Sequence, residues 1–254
     1  MCGRYTLAIT YEELAEELGV DVDPAIAEAY RPRYNIAPTD GNLVMRAQSG
    51  AMEPRASSDP GARRAHEGQM ELVPARFGLV NHWAKDLSAA ARQINARAET
   101  VRSRPAFRDA FEHRRCVVPA DGFYEWRRDG RAKTPFWFHP TEGRVLRFAG
   151  IYETWRSEAT GQRLRTFAIL TTAANDVVGP VHDRMPAILS AEDARVWLTA
   201  SSDEAFALLG PAPNDVLAAQ RASSRVGNVK NDDRALLSEE NEAPAAMPLF
   251  DRAR

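Results

Sequence analysis

The chain has 254 residues, 44% of them hydrophobic, enough to bury the core of one large domain or two small ones. Its formal charge of −2 excludes wrapping along duplex DNA by bulk positive charge and leaves only a local basic groove. Two cysteines make no disulfide framework, no run of about eighteen apolar residues offers a membrane span, and MCGRYTL is no secretory leader, so a cytoplasmic protein with free thiols is expected.

In chain order, Tyr11 to Gly19 reads as a short helix, with Leu14, Ala15 and Leu18 on one face and Gly19 at its end. Arg33 to Pro38 reads as a loop and Leu43 to Met45 as a short strand. Residues 47–70 are rich in Ala, Gly, Pro, Ser and charge without apolar periodicity, which reads as a mobile insertion joining two strands. A strand starts at Glu71 and ends near Asn81. Three more strands are expected over Arg115 to Trp126, Val145 to Trp155 and Arg165 to Thr172. Helices follow over Ala191 to Leu198 and Ser202 to Leu209, and the last dozen or so residues read as a frayed tail. Strands come in runs and no linker separates two cores. The expectation is a single α+β domain over 1–235, with a tail over 236–254. Its core is a largely antiparallel, twisted, barrel-like sheet with flanking helices.

Cys2 is the residue with unusual chemical potential. With Met1 removed it carries a free α-amine, reference pKa about 7.7–8.0, beside a thiol of about 8.5. An aldehyde can form an imine with the amine, and the thiol can then close a five-membered thiazolidine at high effective concentration. Taken alone, a thiol at position 2 is more often part of a loose terminus.

Three further residues bear on that choice. Asn95 in QINARAET can hold the amine or a backbone group, and by spacing alone it suits a helix N-cap better. Glu125 in ADGFYEW lies among aromatics, where a carboxylate is desolvated and suited to proton transfer, or faces solvent on a strand. His182 in VHDRMP is one of five histidines and titrates near neutrality; a hydrogen-bonded loop histidine is the commoner case. Arginines cluster from Arg92 to Arg115 and again from Arg127 to Arg131, interleaved with Trp83, Tyr124 and Trp126, a composition suited to unpaired bases as well as to a solvated surface. No metal, nucleotide or other cofactor motif is present.

Taken in order, MCGRYTL, RYNIAPT, HWAKD, INARAET, RCVVPADGFYEW, FAGIYETW, FAILTTAAN, VHDRMP and VGNVKNDD resemble the SRAP family, the SOS response-associated peptidases or abasic-site processing proteins. The resemblance implies the SRAP fold and a covalent thiazolidine crosslink from Cys2 to the ring-opened abasic site in single-stranded DNA. That crosslink protects the lesion during replication-coupled repair. It implies self-removal of Met1, a lyase-type activity, and a monomer in the cytoplasm that is nucleoid-associated when engaged on DNA. Its catalytic set falls on Cys2, Asn95, Glu125 and His182, with Asn95 positioning the amine and Glu125 and His182 assisting ring opening and proton transfer. Its DNA contacts fall on Arg4, Asn35, Pro38, Trp83, Arg97, Thr171 and Arg184. Phe77 replaces a family Trp, and Asn81 replaces a Pro whose loss is expected to loosen the loop carrying Trp83. Three rivals remain: an N-terminal-cysteine amidohydrolase, a peptidase acting in trans, and a single-strand-binding module without chemistry.

Overall fold

The structure is a computed structural model describing residues 2–48, 69–88 and 90–238. β1 (Arg4–Leu7) leads into α1 (Tyr11–Leu18). A capping box starts that helix, with the Glu13 amide donating to the Thr10 hydroxyl and the Thr10 amide donating back to the Glu13 carboxylate. Gly19 stops it at φ 64°. Asp23 caps α2 (Pro24–Ala29). Then come β2 (Arg33–Ile36), β3 (Gly41–Ala47), β4 (Met70–Phe77), β5 (Asn95–Arg97), α3 (Arg108–His113), β6 (Arg115–Ala120), β7 (Gly122–Asp129) and β8 (Ala132–Pro140). The chain continues through β9 (Leu146–Arg156), β10 (Arg163–Ala173), β11 (Arg184–Pro186), β12 (Ile188–Leu189), α4 (Ala191–Thr199), α5 (Ser202–Ala207) and β13 (Leu217–Arg221).

Five strands close on themselves. β10 pairs with β4, β4 with β3, β3 with β6, β6 with β9, and β9 with β10 again, giving a five-stranded barrel. Closure leaves these strands no open edge. β10 runs parallel to β4 and β5, and the other pairings are antiparallel. A second sheet, in the order β13-β8-β7-β1-β2, lies against the barrel. Aromatic rings join the two: Tyr5 of β1 meets Phe77 and Phe148 of the barrel edge-on, while Phe77 stacks on Phe167 at 5.2 Å within the barrel and Phe123 on Phe138 at 5.1 Å within the second sheet. Each of these rings is wholly buried, and burial contributes about 1.5–3 kcal/mol per large apolar side chain. No helix among the described residues is long and apolar enough to cross a membrane.

The single α+β domain with a largely antiparallel, barrel-like core is what the sequence predicts. The differences are local. RYNIAP is not a loop, because Arg33–Ile36 pairs with β1 as the edge strand of the second sheet. RCVVPADGFYEW is two strands in different sheets, turning at Asp121. The strand from Glu71 ends at Phe77, since Gly78 takes φ 112° and a Cβ there would lie 2.2 Å from the Ala90 carbonyl oxygen. The ends of the expected insertion, Ala47 and Met70, face each other across the β3–β4 ladder, and its middle, 49–68, lies outside the described residues. At the other end Leu236 is wholly buried against Tyr124 and Val226, so the folded part passes residue 235; the rest of the expected tail, from 239, is outside the described residues.

Candidate active site

β1 threads the N-terminus into the protein. Arg4 pairs with Tyr124 of β7, so Cys2 and Gly3 continue alongside Glu125 and Trp126. Cys2 is wholly buried, and its thiol lies 3.9 Å from the Arg4 carbonyl. Residue 2 is therefore inside the protein and not in a loose tail. Burial, and then the nearby Glu125 charge, push the Cys2 thiol far above the ordinary range, so at neutral pH it keeps its proton.

Asn95 reaches this residue from the other side. It opens β5, which β10 holds in parallel register with Ile169 opposite Asn95 and Thr171 opposite Arg97. The Asn95 side-chain amide donates to the Cys2 carbonyl at 3.0 Å. Its carbonyl oxygen, Oδ1, is buried and has no hydrogen-bond partner among the described residues. The N-cap alternative is excluded, because the following turn begins after Arg97 and has no side-chain cap.

Glu125 is 3% exposed. It lines a cavity of about 390 Å³ together with His182, Trp126, Arg128, Lys133 and Gly227. The His182 ring accepts the Arg184 amide on Nδ1 at 2.9 Å, which places the proton of the neutral ring on Nε2. The Asp183 carboxylate lies 3.0 Å from the same Nδ1. The fold thus brings together four residues far apart in sequence: Cys2 with Asn95, Cys2 with Glu125, and Glu125 with His182.

The expected DNA-contact residues divide into two groups. Arg97 and Trp83 are exposed, Trp83 at 64%, and Pro38 is partly exposed in the turn after β2. Beside it Thr39 holds φ 78°, an uncommon conformation for a β-branched residue. The second group works inward. Asn35 is wholly buried, and its amide donates to the carbonyls of Val226, Asn228 and Asn231. The half-buried Arg4 guanidinium donates to Asn35 Oδ1 and to Val226 O, both at 2.8 Å, and burial lowers its pKa. Arg4 and Asn35 therefore clamp the 226–231 loop, whose Gly227 lines the cavity. Asn35 is thus an internal clamp and not a DNA-facing residue.

Thr171 is also wholly buried, and its carbonyl accepts from Arg184. Arg184 forks both oxygens of Glu99, at 2.6 and 2.9 Å, which holds the Glu99 carboxyl below its usual range. The INARAET and VHDRMP segments are therefore tied to each other through Glu99, a partner the motif reading did not single out.

The loop after β4 is not loosened by Asn81. Asn81 is 6% exposed, and its amide donates to the Ala106 carbonyl at 2.7 Å. The His82 amide donates to Glu153 at 3.0 Å, and the Trp155 indole donates to Ala84 O at 2.7 Å. Asn81 thus replaces proline rigidity with a buried hydrogen bond. Beneath the loop, His82, Asp109 and Glu153 have the donor types of a metal site. Arg114, however, ion-pairs with both Asp109 and Glu153 and already supplies the positive charge there.

The fold and site define an α+β barrel protein whose second residue is a buried cysteine between an amide and a carboxylate. The chain belongs to the SRAP family, described as SOS response associated peptidase, whose family model matches residues 1–229. A Bacillus subtilis relative, the abasic site processing protein YoaM, is 36% identical over 245 residues, covering 95% of this chain and 99% of its own. The Gallus gallus abasic site processing protein HMCES is 32% identical and overlaps 80% of this chain and 65% of its own length. Among solved structures, a Bacteroides thetaiotaomicron protein superposes with a TM-score of 0.75 at 24% identity, covering 94% of this chain and 100% of its own, which shows a shared fold.

Proposed function

We propose that this protein is an abasic-site processing protein that captures the ring-opened lesion of single-stranded DNA on Cys2. The observation that carries the reading is the seating of Cys2. A terminal residue is buried, held through its carbonyl by Asn95, and set beside a buried carboxylate. A mere DNA-binding surface has no use for that arrangement.

The sequence of steps follows from the protonation states. Hydrolysis of the Met1–Cys2 peptide, a self-processing step, frees the Cys2 amine. The orphan Asn95 Oδ1 is the acceptor left for that amine, so the amide grips both ends of the Cys2 backbone. The lesion sugar must open to its aldehyde, a proton-transfer step assigned to Glu125 and His182. The amine nitrogen then attacks the aldehyde carbon and water leaves, giving an imine. The Cys2 sulfur adds to the imine carbon while the thiol proton passes to nitrogen, closing the thiazolidine. Because the thiol is held neutral, the imine forms first. Cleavage of the strand from the imine, a lyase-type outcome, competes with ring closure.

Arg97 and Trp83 are the exposed contacts for the strand, with Pro38 at its edge; Arg4, Asn35, Thr171 and Arg184 shape the walls. We further propose a monomer acting in the cytoplasm on nucleoid DNA, with no cofactor. An acyl-transfer nucleophile, as in amidohydrolases, needs a thiolate, and burial of Cys2 works against it.

Intact mass spectrometry with and without an abasic oligonucleotide tests the reading. Loss of the Met1 mass and one covalent adduct less one water are expected, the durable adduct being absent in Cys2→Ala. Cys2→Ser should give an imine trappable by borohydride and no durable ring. A wild-type protein that yields no adduct would refute the covalent mechanism.

A further inference from the structure

We propose that the β7–β8 hairpin carries a phosphate clamp, Arg128 with Lys133, for the DNA strand flanking the lesion. The inference rests on the single-strand reading above and adds a binding element to it.

The hairpin turns through Gly130 and Arg131, with Gly130 at φ 62° and Asp129 opposite Ala132. In this register Arg128 stands directly opposite Lys133. Directly opposed residues share a face and lie close together, so two like charges there work against the sheet. Neither residue has an ion-pair partner among the described residues, and both are exposed. Their neighbour Arg127 is treated differently. It pairs with Asp129 at 2.9 Å and lies over the Phe136 ring at 5.2 Å. The hairpin therefore neutralises one cation and leaves two facing each other.

Their place gives the pair its meaning. Arg128 and Lys133 line the same cavity as Glu125 and His182. A cation pair at the mouth of a cavity that holds a carboxylate fits a ligand that is itself anionic and passes outside the reacting centre. A phosphodiester next to the captured sugar has that shape and charge. The planar guanidinium can take two phosphate oxygens, while the ammonium supplies a point charge.

The test uses the double variant Arg128→Ala, Lys133→Ala in the full chain. Binding to an undamaged single-stranded oligonucleotide is followed by fluorescence anisotropy across a salt series. With two phosphates released, the slope of log K against log salt should shrink by about 1.4. The melting temperature should stay level or rise, because a like-charge pair has gone. Single-turnover crosslinking to an abasic oligonucleotide should keep its maximal rate and need more DNA to reach it. Trimming the wild-type substrate on one side of the lesion should reproduce the loss, and trimming on the other side should not. An unchanged salt slope, or a loss that neither truncation mimics, overturns the clamp. A wild-type protein that forms no adduct but loses salt slope in the double variant would instead sink the covalent reading and keep the clamp.

Discussion

Asn95 is the residue on which the geometry makes its sharpest demand. Asn95→Ala deletes the 3.0 Å bond to the Cys2 carbonyl and leaves that buried carbonyl without its donor. Stranding a buried neutral group costs about 1–3 kcal/mol. β5 keeps its backbone pairing to β10, so the strand persists and the cost falls mainly on the orientation of Cys2. At about 1.4 kcal/mol per tenfold, crosslinking slows roughly 5- to 150-fold. Asn95→Asp separates the two halves of the amide. It keeps an acceptor for the amine and sets a second oxygen against the Cys2 carbonyl. Its negative charge favours the protonated amine, which raises the amine pKa. Crosslinking by Asn95→Asp should therefore be slow at neutral pH and recover as pH rises, whereas Asn95→Ala should stay slow throughout. The assay is a single-turnover time course on denaturing gels with saturating abasic oligonucleotide, from about pH 6.5 to 9, beside a thermal melt of each variant. A rate for Asn95→Ala within twofold of wild type would refute the assignment of Asn95 to positioning Cys2.

Alkaline pH should weaken the fold. Burial pushes the Cys2 and Cys116 thiols up, so the folded protein keeps protons that the unfolded chain releases. Their contribution is complete below about pH 8.5 and is lost as pH rises, by about 1.4 kcal/mol per pH unit per thiol; urea unfolding at several pH values should show the decline, with a shallower slope in Cys116→Ala. Glu153→Leu should destabilise by about 1–3 kcal/mol, because it leaves the His82 amide without its acceptor and takes from the half-buried Arg114 guanidinium one of its two carboxylates, Asp109 remaining; a denaturation midpoint equal to wild type would mean that the Trp83 loop is held otherwise. Trp83→Ala should leave the melting temperature unchanged, since the ring is 64% exposed, and weaken single-strand binding by about 1–3 kcal/mol if it stacks on a base. Equal affinity of variant and wild type would remove Trp83 from the strand path.

The strands with an uninterrupted apolar and β-branched run were legible, as FAGIYETW in β9 and FAILTT in β10 illustrate, because period and composition report burial directly. Boundaries set by a partner far along the chain were not. ADGFYEW reads as one strand because nothing local shows that Asp121 hands the chain from the barrel to the second sheet. There its carboxylate accepts the Ala8 amide at 2.6 Å. The four catalytic candidates were legible as motifs, and their mutual geometry was not, since it depends on the segments at β1, β5 and β7 and the one before β11 meeting in space.

Asn35 shows most clearly where local reading stops. In RYNIAP an Asn with a Pro three residues on signals a turn and an exposed amide. Nothing nearby indicates that three carbonyls from 226–231 will surround it. Within the loop the Asn228 carbonyl accepts the Asn231 amide at 3.1 Å, and the Asn35 amide brings a donor to all three from outside; buried acceptors without donors are costly. The amide therefore belongs inside, and Arg4 joins it because the same Val226 carbonyl has room for a second donor. One consequence is functional. Arg4 lies two residues from Cys2, so the clamp that seats the 226–231 loop also anchors the segment carrying Cys2. The cavity wall at Gly227 and the segment carrying Cys2 are tied to a single hydrogen-bond network, so a change at Asn35 should act on Cys2 through Arg4 without touching a ligand.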